Sequence, residues 1–132
     1  ARRRRRGPPP PAGVEPPVPL LLDVDRRYRD DATAGKLPTI APKRLNPDGK
    51  AWLPVLHATV DDWHVTALYS NTARAHELDR VFDWVVIYFH RNADPEQQRT
   101  VVTESRGALA GRRVVRGREA ECRDWYENRP AR

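Results

Sequence analysis

Methionine is missing from all 132 residues, position 1 included, which leads to the expectation of a fragment or a trimmed product. Cysteine occurs once, at Cys122, so an intramolecular disulfide is excluded. A reducing, soluble, cytoplasmic setting is the default expectation. No apolar run approaches the roughly 18–20 residues needed to span a bilayer, and no membrane partner is expected. The arginine run near the start lacks the apolar core of a secretory signal. His57, His64, His76, His90 and Cys122 show no zinc-type ligand spacing, so no metal site is expected from them. Ser70, His76 and Asp83 form a catalytic triad on paper only, because no strained Gly-x-Ser-x-Gly elbow supports it. No internal repeat and no cofactor motif stands out.

Positive charge is in excess. The formal net charge is +6 and the isoelectric point about 10.1. Such a balance points to an anionic partner, nucleic acid first. Its location weakens the inference. Residues 1–18 carry five arginines, Arg2 to Arg6, against Glu15, a surplus of four that leaves +2 for residues 19–132.

Residues 1–19 also hold seven of the 13 prolines. Proline fixes φ and removes a backbone donor, so this stretch reads as an extended linker or tail. Residues 20–132 then form a single domain. Leu21, Val24 and Tyr28 recur at helical spacing over 20–35, with Gly35 as the stop. Three prolines and the Asn46-Pro47-Asp48-Gly49 turn signal predict an ordered loop over 36–50. Alternation over 51–60 and 63–70, joined by Asp61-Asp62, predicts a β-hairpin with Trp63, Val65, Ala67 and Tyr69 on one face. Residues 83–91 are apolar on both faces, as in a central strand. Strands over 99–105 and 112–117 and a helix over 118–129, with Ala120, Cys122 and Trp125 inward, complete the pattern. The expected class is α+β, with a mostly antiparallel sheet of about five strands and two or three helices.

Three constellations carry chemical interest. Ser70-Asn71-Thr72 precedes a short apolar periodicity, so Ser70 or Asn71 is expected to cap a helix over about 72–80. Arg74 in its first turn opposes the helix dipole and wants a carboxylate, an aromatic face or an outside anion. His76 reads more readily as a buried, hydrogen-bonded histidine than as a catalytic one. Asp23 and Asp25 resemble a metal-binding pair, but on a helix positions i and i+2 diverge. The third constellation is 106–118, with five arginines and no acid. It serves either as a phosphate-binding face or as an arginine-rich edge strand paired to Glu104, Glu119 or Glu121.

The stretches TIAPKRLNPDGKAWLPVLH, WHVTALYSNTARAHEL, DWVVIYFHR and TVVTESRGALAGRRVVRGREAEC resemble the C-terminal region of bacterial helix-hairpin-helix proteins, which are related to the DNA-binding part of family X DNA polymerases. The resemblance spans about residues 20–126, and SNTARAH and GRRVVRGRE are its most specific runs. It implies a DNA-maintenance or DNA-repair setting and carries no catalytic residue across. The helix-hairpin-helix itself is not in these 132 residues, and the resemblance implies that it precedes residue 1.

Together these readings predict a non-catalytic nucleic-acid-binding accessory domain, DNA favoured. Lys43, Arg44, Arg74, Arg106, Arg112, Arg113, Arg116 and Arg118 are the expected phosphate contacts. The alternatives are a metal-dependent phosphoesterase or nuclease built on Asp23, Asp25 and a histidine, and a protein-interaction module acting through a sheet edge.

Overall fold

In a computed structural model, residues 14–129 are described. The expected linker 1–19 lies outside them up to residue 13. Its last part belongs to the folded body, because Pro16 is fully buried and Glu15 binds Arg99 at 2.6 Å.

Helix α1 spans Val18–Thr33. Pro17 and Pro19 suit its start, where the first amides have no intrahelical partner and a missing N–H costs nothing. It stops where expected, with Gly35 at φ 71° and its amide on the Ala32 carbonyl. Leu21, Val24 and Tyr28 form its buried stripe.

Six strands follow: β1 (Thr39–Ile40), β2 (Leu53–Val60), β3 (Trp63–Tyr69), β4 (Val85–His90), β5 (Gln97–Thr103) and β6 (Arg113–Val115). Helix α2 (Ala73–Glu77) lies between β3 and β4, and helix α3 (Glu119–Glu127) closes the described chain. The strands form one antiparallel meander in sequence order. The α+β class is as expected, but the described residues form six strands rather than about five. The added one is β1, two residues paired to Pro54 and Leu53 inside the proline-rich loop.

The hairpin between β2 and β3 turns at Asp61 and Asp62, both with positive φ (48° and 72°). Two such residues make the turn whose twist matches its strands. Trp63, Val65, Ala67 and Tyr69 are all buried on one face. Val85, Ile87, Phe89, Val101 and Val115 extend that face across the sheet, and α1 packs on it. Tyr28 is its keystone. Its hydroxyl donates to the Pro54 carbonyl at 2.7 Å and accepts from the Tyr69 amide at 2.9 Å. The opposite face carries His57, His64, Thr66, Tyr88 and His90, exposed or half-exposed.

Two local expectations need correction. Helix α2 is shorter than 72–80, and Thr72 rather than Ser70 or Asn71 caps it, accepting from the Ala75 amide at 3.1 Å. In α3 Ala120 is exposed; Cys122 is the fully buried residue and Trp125 is half-buried. Cys122 Sγ accepts from the Val115 amide at 3.3 Å, which ties α3 to β6.

Candidate nucleic-acid interface

The pairing register sets which loops meet. Tyr69 lies opposite Val85, Val85 opposite Val101, and Val101 opposite Val115. The loop entering β2, the α2 segment and the β5–β6 turn therefore leave the sheet at one end. The Asp61-Asp62 turn and the 91–96 turn leave at the other. The Asn71 side chain ties the first end together. Its amide donates to the Arg44 carbonyl at 2.9 Å, and its oxygen meets His76 Nε2 at 2.7 Å. His76 is thus hydrogen-bonded as expected, but exposed rather than buried.

Charge divides along the same axis. The described residues hold 18 basic and 18 acidic side chains, because Arg2–Arg6 and Arg132 lie outside them. At the first end Lys43, Arg44, Lys50, Arg74, Arg80, Arg106 and Arg112 have no ion-pair partner among the described residues, against the unpaired acids Asp48, Glu77 and Asp79. The two turns at the other end hold Asp61, Asp62, Asp94 and Glu96 and, among the described residues of those turns, one cation, Arg91, which stacks on Trp63 at 4.5 Å. A nearly neutral body therefore has a cationic end and an anionic end.

The 106–118 arginines do not stand as one free face. Arg113 commits all five of its N–H groups: to Asp25 at 2.7 and 3.2 Å, to Asp83 and Thr103 at 3.1 Å each, and to the Val101 carbonyl at 3.3 Å. Arg116 chelates Glu104 at 2.9 and 3.2 Å and reaches Glu119 at 3.0 Å. Arg118 grips Glu121 at 2.7 and 2.8 Å and the Pro16 carbonyl at 2.6 Å. These three make the arginine-rich edge paired to carboxylates. The Arg116 guanidinium, the largest influence, together with the Ser105 amide, pulls the Glu104 carboxyl down to about 2. Arg106 and Arg112 remain outward, Arg112 lying over the Tyr126 ring at 4.7 Å.

Asp23 and Asp25 do not act together. Asp23 is exposed and paired to Arg26. Asp25 is buried with only 1% of its side chain exposed, holding Arg29 at 2.9 Å and Arg113 at 2.7 Å. It floors a cleft of about 550 Å³ between α1 and α3, walled by Trp125 and Tyr126. Among the described residues no group of three or more histidine, cysteine or acidic side chains is placed to hold a metal ion. His64 and His90 stack across strands at 5.0 Å, and their partners are threonine and each other. The strand edges are short: β1 has two residues and β6 three.

Sequence reasoning missed one feature of the cationic end. Phe82 is 70% exposed and Leu45 50%, although both are large and apolar. They line a pocket of about 310 Å³ with Trp52, His76, Asp79 and Val81. Phe82 is held edge-on by Trp52 at 6.0 Å and Tyr69 at 5.2 Å. Leu45 adopts φ 52°, a left-handed conformation unusual for a bulky side chain.

No helix among the described residues is long and apolar enough to cross a membrane. Comparison with protein-family models, with curated proteins and with solved structures finds no match to this chain.

Proposed function

We propose that this chain is a non-catalytic accessory domain that binds nucleic acid, DNA favoured, within a larger DNA-maintenance protein. The contact surface is the cationic end of the sheet. Lys43, Arg44, Arg74, Arg106 and Arg112 belong to it from the sequence reading, and Lys50 and Arg80 join them. Arg113, Arg116 and Arg118 serve the fold and leave the contact list. The DNA-maintenance setting rests on the resemblance alone.

The observation that carries the reading is the segregation of unpaired cations onto one sheet end. From β2 to β6 that end is about 19 Å wide, four strand spacings. A polyanion there releases counterions as guanidinium groups replace them, whereas cations already neutralised by carboxylates contribute little. The anionic far end repels the same polymer and so orients the domain.

The test is salt-dependent binding of a labelled oligonucleotide, with Arg2–Arg6 replaced by glutamine so that the tail does not dominate. If about six cations engage a single strand, log K falls against log salt with a slope of about −4. Arg74→Gln with Arg106→Gln flattens the slope, and Arg116→Gln leaves it unchanged. Binding that ignores salt, or that responds to Arg116 as strongly as to Arg106, overturns the reading.

A further inference from the structure

We infer that the pocket beside Phe82 receives an unstacked base, so that the domain selects single-stranded over duplex nucleic acid. This rests on the nucleic-acid reading above and makes it more specific.

An exposed phenylalanine lowers solubility and is normally buried. Here it is displayed and yet held, because Trp52 and Tyr69 both pack against its ring in T-shaped pairs while 70% of the residue stays exposed. Leu45 opposite is also displayed, on a backbone turn that leucine seldom adopts. The space between them, about 310 Å³, is lined by apolar walls with His76 and Asp79 at its polar side. That composition suits a planar group with a polar edge. The Asp79 carboxylate accepts from a ring or exocyclic N–H, and the ring face of Phe82 offers stacking that is indifferent to base identity.

Charge identifies the occupant. The chain segments that supply the pocket also supply Lys43, Arg44, Arg74 and Arg80. A purely apolar ligand gains nothing from them, while a base carries its own phosphates to that rim. In a duplex the bases are stacked on each other and cannot enter, so the pocket adds affinity only for a single strand.

The experiment compares a short labelled oligothymidylate with a duplex of equal length on the full chain carrying the tail substitutions. The single strand is expected to bind about tenfold tighter. Phe82→Ala removes that margin and leaves duplex binding unchanged, while Phe82→Trp restores it. Trp52 fluorescence, read in a variant whose other three tryptophans are phenylalanine, is quenched by the oligonucleotide. The alanine variant gives up the contacts to Trp52 and Tyr69 and its urea midpoint falls modestly, so circular dichroism confirms that it is folded under the binding conditions. Equal, salt-sensitive binding of both forms, untouched by Phe82→Ala, overturns the base pocket and leaves the wider reading standing. No salt-sensitive binding of either overturns both. A pocket that ignores oligonucleotides but takes an acidic peptide with an aromatic anchor also overturns the inference, in favour of a protein partner.

Discussion

Replacing Asp25 by alanine removes a carboxylate buried between α1 and the sheet, and the cost can be worked from its neighbours. Arg29 is about a third exposed and turns to solvent when its partner goes. Arg113 is only 15% exposed and keeps Asp83, Thr103 and the Val101 carbonyl, but loses two of its five hydrogen bonds. Breaking a buried ion pair from one side costs about 3–5 kcal/mol. The partner that survives, Asp83, places this case near the lower end, at about 3 kcal/mol. With a urea dependence of ~1.5 kcal/mol/M, the unfolding midpoint falls by roughly 2 M. The pair Asp25→Leu with Arg113→Met removes both charges and fills the space with apolar groups, so it is less damaging than Asp25→Ala alone. Equilibrium urea unfolding by circular dichroism of the parent, Asp25→Leu, Arg113→Met and the double variant gives the coupling energy directly. If Asp25→Ala costs under ~1 kcal/mol, or if the double variant is worse than the sum of the singles, the network is not what docks α1 on β6.

Tyr28→Phe deletes a hydroxyl that serves two backbone groups and leaves the Tyr69 amide and the Pro54 carbonyl unpaired in the core. The expected loss is about 2 kcal/mol, seen as a lower thermal midpoint without change of fold. Acid sensitivity follows from the paired carboxylates at the β5–β6 edge. Arg116 holds Glu104 at about 2 and Arg118 holds Glu121 below the ordinary glutamate value. For Asp83 burial works the other way, but the Thr103 amide and hydroxyl and Arg113 together bring its carboxyl down. A carboxyl depressed on folding stabilises above its unfolded pKa, and that stability is lost as pH falls through the folded value. The urea midpoint is therefore expected to hold down to about pH 4.5 and to fall between there and about pH 2. Glu104→Gln flattens that fall, and an unchanged acid limb in this variant refutes the assignment.

What was legible in the sequence was whatever depends on neighbours a few residues away. Alternation made β3 readable, because Trp63, Val65, Ala67 and Tyr69 face one core and period two leaves no other solution. Asp61-Asp62 was readable as a turn. Strand β1 was not, since two residues carry no period and Thr39–Ile40 become a strand only by pairing with Leu53 and Pro54. Arg113 was misjudged for the same reason. It sits among arginines in the chain, but its main partner, Asp25, lies 88 residues away in the sequence. Phe82 fell between the expected helix over about 72–80 and the expected strand over 83–91, where no period marks a side chain as buried or exposed. The strand itself begins at Val85.

The division of charge could have been found from sequence with one added step. In an antiparallel meander successive loops alternate between the two ends of the sheet. Once the strand order was read, the loops could be sorted into two sets and their charges added separately. The loop entering β2, the α2 segment and the β5–β6 turn hold Lys43, Arg44, Lys50, Arg74, Arg80, Arg106 and Arg112. The two intervening turns hold Asp61, Asp62, Asp94 and Glu96. Reading the arginines as a run along the chain, 106–118, joined groups that face different partners. Reading them by loop parity separates the ones the fold spends on its own carboxylates from the ones it leaves for a ligand. An arginine in or beside a strand, such as Arg113 or Arg116, lies close to neighbouring acids along the sheet edge and finds one. Arg74 in α2 and Arg106 in the β5–β6 turn make no ion pair among the described residues. That physical difference, and not the density of arginine in the sequence, is what directs the proposed contact to the end of the sheet.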